Sequence, residues 1–204
     1  MSAVPKSFLT PEEYLARERR AETKSEYLRG EMFAMSGASR EHNLIAGNVF
    51  AELREQLRQR PCEVYQADMR VKVSPTGLYT YPDVTVACGE PQFEDAEVDT
   101  LLNPTVLVEV LSPSTADYDR GGKWTHYRRL ASFQEYILVS QDRPLVEHYV
   151  RQDSDQWLLT EQRGLEDMLV LPSIGCQIPL AEIYLKIRFA PTEEEMWNQM
   201  GKQP

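Results

Sequence analysis

Thr105-Val106-Leu107-Val108-Glu109-Val110-Leu111 is the stretch on which the fold turns. Apart from Glu109 the run is apolar or β-branched, the mark of a strand buried on both faces. A carboxylate inside such a strand is costly unless it is paired or holds a metal. Upstream, Tyr81-Pro82-Asp83-Val84-Thr85-Val86-Ala87-Cys88 repeats the motif, with Asp83 opening an apolar strand directly after a proline. If the two strands are neighbours joined by the acidic loop 89–100, both carboxylates reach one point at the sheet edge. Two hard oxygen ligands at one point suit Mg²⁺ or Mn²⁺.

Outward from these strands the chain alternates irregularly. Thr10-Pro11-Glu12-Glu13 combines an N-cap, a proline at the first helical position and first-turn carboxylates, and predicts a helix over 11–21. Strands at 25–28 and 31–35 flank an Arg29-Gly30 turn. Ile45, Val49, Leu53 and Leu57 recur at i+4 and make the stripe of a long helix, capped by Ser39 and stopped by Pro61. Strands follow at 62–66, 69–74 and 78–88, then at 105–111. A helix over 119–131 leads to strands at 135–140, 145–151 and 157–162. Residues 183–187 fit a short strand or a helical turn, and 191–204 a short helix with a frayed end. The expected fold is α/β, a sandwich with a central mixed β-sheet flanked by helices. It lacks the regular βαβ alternation of a doubly wound sheet. Residues 1–190 are expected to be one domain and 191–204 a tail.

The 204 residues are 42% hydrophobic and 26% charged, which fits a globular chain with a sizeable core. No apolar run is long enough to span a bilayer, and the N-terminus has no signal-peptide core. Cys62, Cys88 and Cys176 stand far apart with no CxxC pair. That spacing argues against a disulfide scaffold or structural zinc and for a reducing, cytoplasmic setting. Net charge is −10, which opposes general attraction to phosphate backbones. Basic side chains are densest in residues 1–60, with 10 against 9 acidic ones. The sequence has no phosphate-loop, dinucleotide, HExxH or GxSxG motif, and His42, His126 and His148 are scattered.

After Leu111 come a Ser112-Pro113-Ser114-Thr115 turn and then Asp119-Arg120-Gly121-Gly122-Lys123-Trp124-Thr125-His126-Tyr127. Lys123 and Tyr127 share a helix face at i, i+4. A lysine near a helix start is electrostatically unfavourable. An ammonium beside two carboxylates and a metal would orient a water and offset developing negative charge. The plain alternatives are a solvated lysine, a strand-start cap for Asp83, and a buried salt bridge between Glu109 and Arg120.

These motifs, in order, resemble the Uma-two family of restriction-endonuclease-type proteins within the PD-(D/E)XK nuclease superfamily. The segments that carry the likeness are Tyr81-Pro82-Asp83-Val84-Thr85-Val86, Val108-Glu109-Val110-Leu111-Ser112-Pro113-Ser114-Thr115, Tyr118-Asp119-Arg120-Gly121-Gly122-Lys123 and Tyr127-Arg128-Arg129-Leu130. Glu26-Tyr27-Leu28-Arg29-Gly30-Glu31, His42 and Gln134-Glu135-Tyr136-Ile137-Leu138-Val139 extend it to roughly residues 8–188.

The resemblance implies a restriction-endonuclease-like sandwich and Mg²⁺-dependent cleavage of DNA, with Mn²⁺ as an alternative ion. Asp83 matches the PD aspartate and Glu109 the following acid. Leu111 stands where the superfamily places its lysine, and Lys123 on the next helix takes over that position. Asp83, Glu109 and the Val110 carbonyl are the implied metal ligands, and Glu31 is a candidate additional acid. His42, Tyr127 and Arg120 are candidate substrate or supporting residues. Cleavage of both strands would call for a homodimer. The competing expectation is a catalytically inactive nuclease-fold interaction module, favoured by the acidic charge. A third is a hydrolase of other phosphoesters, which a basic groove built from Arg54, Arg58, Arg128 and Arg129 would oppose.

Overall fold

The computed structural model describes residues 8–190. In chain order the elements are α1 (Pro11–Glu18), β1 (Ser25–Leu28), β2 (Glu31–Ala34), α2 (Arg40–Leu57), β3 (Cys62–Gln66), β4 (Arg70–Val73), β5 (Leu78–Thr80), β6 (Val84–Cys88), β7 (Thr100–Leu101) and β8 (Val106–Leu111). A helical run follows, made of α3 (Ala116–Tyr118), a π-helical turn (Asp119–Lys123) and α4 (Trp124–Tyr127). The chain continues through β9 (Glu135–Ser140), β10 (Leu145–Arg151), β11 (Trp157–Arg163), β12 (Met168–Leu171), β13 (Cys176–Pro179) and α5 (Leu180–Ile183). Expectations for 191–204 lie outside the described residues.

Local chemistry sets the element ends. Thr10 and Glu13 form a reciprocal capping box at α1, with Glu13 N–H donating to Thr10 Oγ1 at 3.2 Å and Thr10 N–H to Glu13 Oε2 at 2.9 Å. Ser39 caps α2 by accepting the His42 N–H at 3.0 Å. Arg29 and Gly30 both take positive φ, 50° and 95°, as a two-residue hairpin loop between β1 and β2 requires.

The expected central mixed sheet is present, in the order β11-β10-β9-β8-β6-β3. Within it β8 and β9 run parallel and the other pairs antiparallel. A second sheet, β2-β1-β5-β4-β7, lies beside it, and β12 pairs with β13. Alternation along β8 divides the core. Val106, Val108 and Val110 pack with the α2 stripe, Ile45, Val49, Leu53 and Leu57. Leu107 and Leu111 pack on the opposite side with Tyr127, Phe133 and, from the second sheet, Val71, Val73 and Leu78. Glu109 alternates onto this second side, between the two sheets.

Two expectations are corrected. The segment 78–88 is two strands in two sheets, because Pro82 has no N–H for a ladder and interrupts pairing. Its apolar pattern runs on across the break, so periodicity alone does not reveal it. The short β7, β12 and β13 carry too little pattern to read. Of the two readings of residues 183–187 the strand is dropped and the helical turn stands: α5 ends at Ile183 and a turn follows.

The cysteines are the second correction. Cys62 lies directly opposite Cys88 on β3 and β6, Cα atoms 4.0 Å apart, and the two form a disulfide. Sequence spacing says nothing about cross-strand register, so the pairing was invisible. Cysteine usage therefore no longer argues for a reducing setting. Among the described residues no helix is long and apolar enough to cross a membrane.

Thiol titration of the denatured, unreduced protein should count one reactive thiol per chain, Cys176. Three thiols would remove the Cys62–Cys88 bond.

Candidate active site

The break between β5 and β6 places Asp83 where the two sheets part. Antiparallel pairing of β6 with β8 ends at Val84 opposite Val108. Two positions further on, where Pro82 would face Val110, the ladder has stopped, and the Asp83 side chain supplies the acceptor for the Val110 N–H. Its Oδ2 accepts the Val110 N–H at 2.7 Å. In an extended strand the N–H and C=O of one residue point to the same side, so the Val110 carbonyl also points toward Asp83. His42, in the first turn of α2, lies with Nε2 2.8 Å from Asp83 Oδ1. Against an ionised carboxylate that nitrogen must carry the proton.

Glu109 is 3% exposed. Its Oε1 accepts the Tyr127 hydroxyl at 2.8 Å and sits 3.0 Å from Lys123 Nζ. Two further carboxylates meet that ammonium. Asp119 Oδ1 is 3.0 Å away, in ion-pair contact but outside hydrogen-bond geometry, and Glu26 Oε1 is 3.6 Å away. Glu26 also accepts the Thr80 hydroxyl at 2.5 Å, and Thr80 Oγ1 lies 3.3 Å from the Tyr127 hydroxyl. Three carboxylates thus face one ammonium, and all four side chains are buried.

Burial pushes the Glu109 carboxyl well above the ordinary carboxylate range. Lys123 pulls it back down, while Asp119 and Asp83 push it up. Burial also works to lower Lys123, but Glu109, Glu26 and Asp119 outweigh it and hold the ammonium well above its usual value. Glu109 and Lys123 therefore both bind their protons more tightly than they would in water.

The helical run explains how Lys123 arrives. It begins at Ala116 and not at 119, so Lys123 lies inside it and the expected N-terminal penalty does not arise. The turn from Asp119 to Lys123 is π-helical. That wider winding, frequent at functional sites, turns Asp119 and Lys123 inward together. Lys123 and Tyr127 share a face as their spacing predicts, and Tyr127 fixes Glu109 directly by its hydroxyl.

Arg120 does not pair with Glu109. It is engaged by Glu147 of β10 through a fork of hydrogen bonds, including Nε to Oε1 at 2.9 Å and Nη2 to Oε1 at 2.6 Å, and ties the π turn to the sheet. Glu31 lies opposite Leu28 beside the hairpin turn, on the same strand face as Glu26 but nearer the loop. The carboxylate of this hairpin that reaches Lys123 is Glu26. Sequence reasoning missed Glu26 and Asp119. The signals were a charged residue at an inward position of β1 and the Asp119–Lys123 i, i+4 spacing.

The four arginines that would make a basic groove lie on elements packed against opposite sides of the central sheet. Arg54 and Arg58 end the helix packed on one side of the central sheet, and Arg128 and Arg129 follow the helix packed on the other. A cavity of about 590 Å³ lined by Arg54, Arg58, Cys62 and Tyr65 lies at the Cys88 end of β6, away from Asp83. Among the described residues no three acidic, histidine or cysteine side chains form a ready metal cage. The oxygen donors on offer here are Asp83, bonded to the Val110 N–H, the neighbouring Glu109, whose carboxyl Asp83 pushes up, and the Val110 carbonyl. Such a sparse set fits Mg²⁺, which keeps several waters and needs only one or two carboxylates.

Lys123→Met leaves three buried carboxylates without their cation, and should cost about 3–5 kcal/mol near neutral pH. Glu109, already held above the ordinary carboxylate range and now without its cation, keeps its proton above the unfolded value, so the folded state binds more protons and stability falls as pH rises. Urea denaturation at pH 5 and pH 8 should show the larger deficit at pH 8. An equal deficit at both would contradict the charge-based account.

Comparison with known proteins agrees with this architecture. A crystal structure described as "a putative nuclease belonging to DUF820" from Anabaena variabilis matches with a TM-score of 0.69 over 86% of this chain and 97% of that one, at 17% identity, a likeness of fold. Two uncharacterized proteins of Synechocystis sp. are closer in sequence. One, sll1609, is 40% identical over 156 residues, covering 76% of this chain and 88% of that protein. The other, slr1290, is 36% identical over 181 residues, covering 89% and 94%. Residues 11–181, which include every site residue named above, match the model of the Uma2 family, described as "Putative restriction endonuclease". The chain belongs to the Uma2 family.

Proposed function

We propose that this chain is a metal-dependent endonuclease that hydrolyses DNA phosphodiester bonds with water. The observation that carries the reading is the buried pair that Glu109 of β8 makes with Lys123, with Asp83 held on the N–H of the next residue, Val110. Asp83, Glu109 and the Val110 carbonyl would hold Mg²⁺ or Mn²⁺, which when bound supplies Lewis-acid charge and lowers the pKa of a coordinated water.

The remaining roles belong to the chain's own groups. Lys123 donates toward the attacking water and the phosphate oxygens and offsets the negative charge that grows in the transition state. Glu26 and Asp119 keep that ammonium protonated and aimed. Tyr127 fixes the Glu109 carboxylate, and His42 with the Val110 N–H fixes Asp83. Glu31 is a further acid on the Glu26 side, and Arg120 a support that anchors the π turn. Cleavage of both strands requires two such sites, and a homodimer acting on cytoplasmic DNA completes the proposal.

A second reading, a non-catalytic nuclease-fold interaction module, is favoured by the −10 charge and by arginines divided between two sides of the sheet. Supercoiled plasmid incubated with Mg²⁺ or Mn²⁺ separates the two. The endonuclease nicks or linearises it, and Asp83→Ala, Glu109→Ala and Lys123→Ala each lower the rate about 100-fold or more. Loss in the acid variants alone would remove Lys123 from the chemistry. Intact plasmid together with no calorimetric heat of divalent-ion binding would favour the interaction module.

A further inference from the structure

Lys123 is 6% exposed, yet the residue against it, Tyr118, is 39% exposed. Tyr118 ends α3 and enters the π turn. In i→i+5 winding position 123 comes round close to the side of position 118, which an ordinary α-turn would carry well away. The Tyr118 ring centroid lies 5.9 Å from Lys123 Nζ, within cation–π range. Glu26, the carboxylate that Thr80 grips from within the core, lies near enough to help push the Tyr118 hydroxyl up. The ring also occupies the space where a Cβ at residue 122 would stand. A Cβ built on Gly122 would meet two ring carbons at 2.4 and 2.5 Å. Glycine at 122 is thus the condition for the ring to lie down on the turn.

We infer that Tyr118 is a positioning residue that roofs the site: its ring, seated over Gly122, closes the solvent side of Lys123. Under such a roof the ammonium has few waters to exchange with, so its direction is set by Glu109, Glu26 and Asp119 and its field is less screened. The consequence for catalysis rests on the endonuclease reading. The roof itself does not.

The test compares the parent protein with Tyr118→Ala, Tyr118→Phe and Gly122→Ala, each checked for native circular dichroism. Brief acylation with acetic anhydride is followed by peptide mass spectrometry, with exposed Lys186 as the internal reference. Lys123 is expected to stay protected in the parent and in Tyr118→Phe, which keeps the ring. It should label several-fold faster than in the parent in Tyr118→Ala and in Gly122→Ala, where the added methyl displaces the ring, while staying slower than Lys186 because its carboxylates keep it protonated. In the plasmid assay Tyr118→Ala should lower kcat about tenfold or more with KM little changed, and Tyr118→Phe should recover part of the loss. Lys123 that labels freely in the parent, or stays protected in both Tyr118→Ala and Gly122→Ala, overturns the inference. Should Tyr118→Ala fail to fold, Gly122→Ala carries the decision. A parent that cuts no plasmid would remove the endonuclease reading and leave the labelling to decide the role of Tyr118.

Discussion

A single ammonium buried among three carboxylates is the constraint around which this protein is arranged. Lys123 cannot be left alone in the core, and neither can Glu109, Glu26 or Asp119. The four groups come from three elements that pack only if the charges meet. Glu109 belongs to the central sheet, Glu26 to the second sheet, and Asp119 and Lys123 to the π turn that covers the gap. Replacing such a cluster with apolar residues could well give a more stable fold, since buried ion pairs rarely repay their desolvation. Its presence inside an apolar β8 is what motivates the catalytic role proposed for it.

The second constraint is geometric. Tyr81, Pro82 and Asp83 link the end of β5 in one sheet to the start of β6 in the other, so the chain crosses between sheets at the residue that carries the first carboxylate. Asp83 then completes the unfinished β6–β8 ladder by accepting the Val110 N–H. A backbone interruption that would otherwise waste a donor becomes the anchor of the site. The π turn works in the same way. It departs from regular helical winding and so turns Asp119, Lys123 and Tyr118 toward the same place. Both irregularities fall at the site, where departures from local regularity are expected to have a functional reason.

The acidic balance of the chain has a partial origin in this arrangement. The carboxylates that hold Lys123 and the loop clasped by Arg19 through Asp95 and Asp99 have structural tasks, so the total charge is a poor guide to the surface a substrate would meet. What the fold does decide is that Arg54 and Arg58 stand apart from Arg128 and Arg129. Recognition of an anionic polymer would have to be built locally around the site and not along one basic groove.

Much of the architecture could be read from residue order. The α2 stripe, the Arg29-Gly30 hairpin, the burial of β8 and the Lys123–Tyr127 face all follow from short-range periodicity and turn chemistry, which operate over a few residues at a time. Asp83, Glu109 and Lys123 stood out because each is a charge where packing alone would place none. The tertiary structure alone decided which charges meet. It chose Glu26 over Glu31 as the hairpin acid at Lys123, drew Arg120 away to Glu147, brought Cys62 to Cys88, and split one apolar run between two sheets. Each of these outcomes depends on strand register and on the crossing of elements distant in sequence. Local hydrophobic pattern carries no record of that register, because it is settled only when whole faces pack.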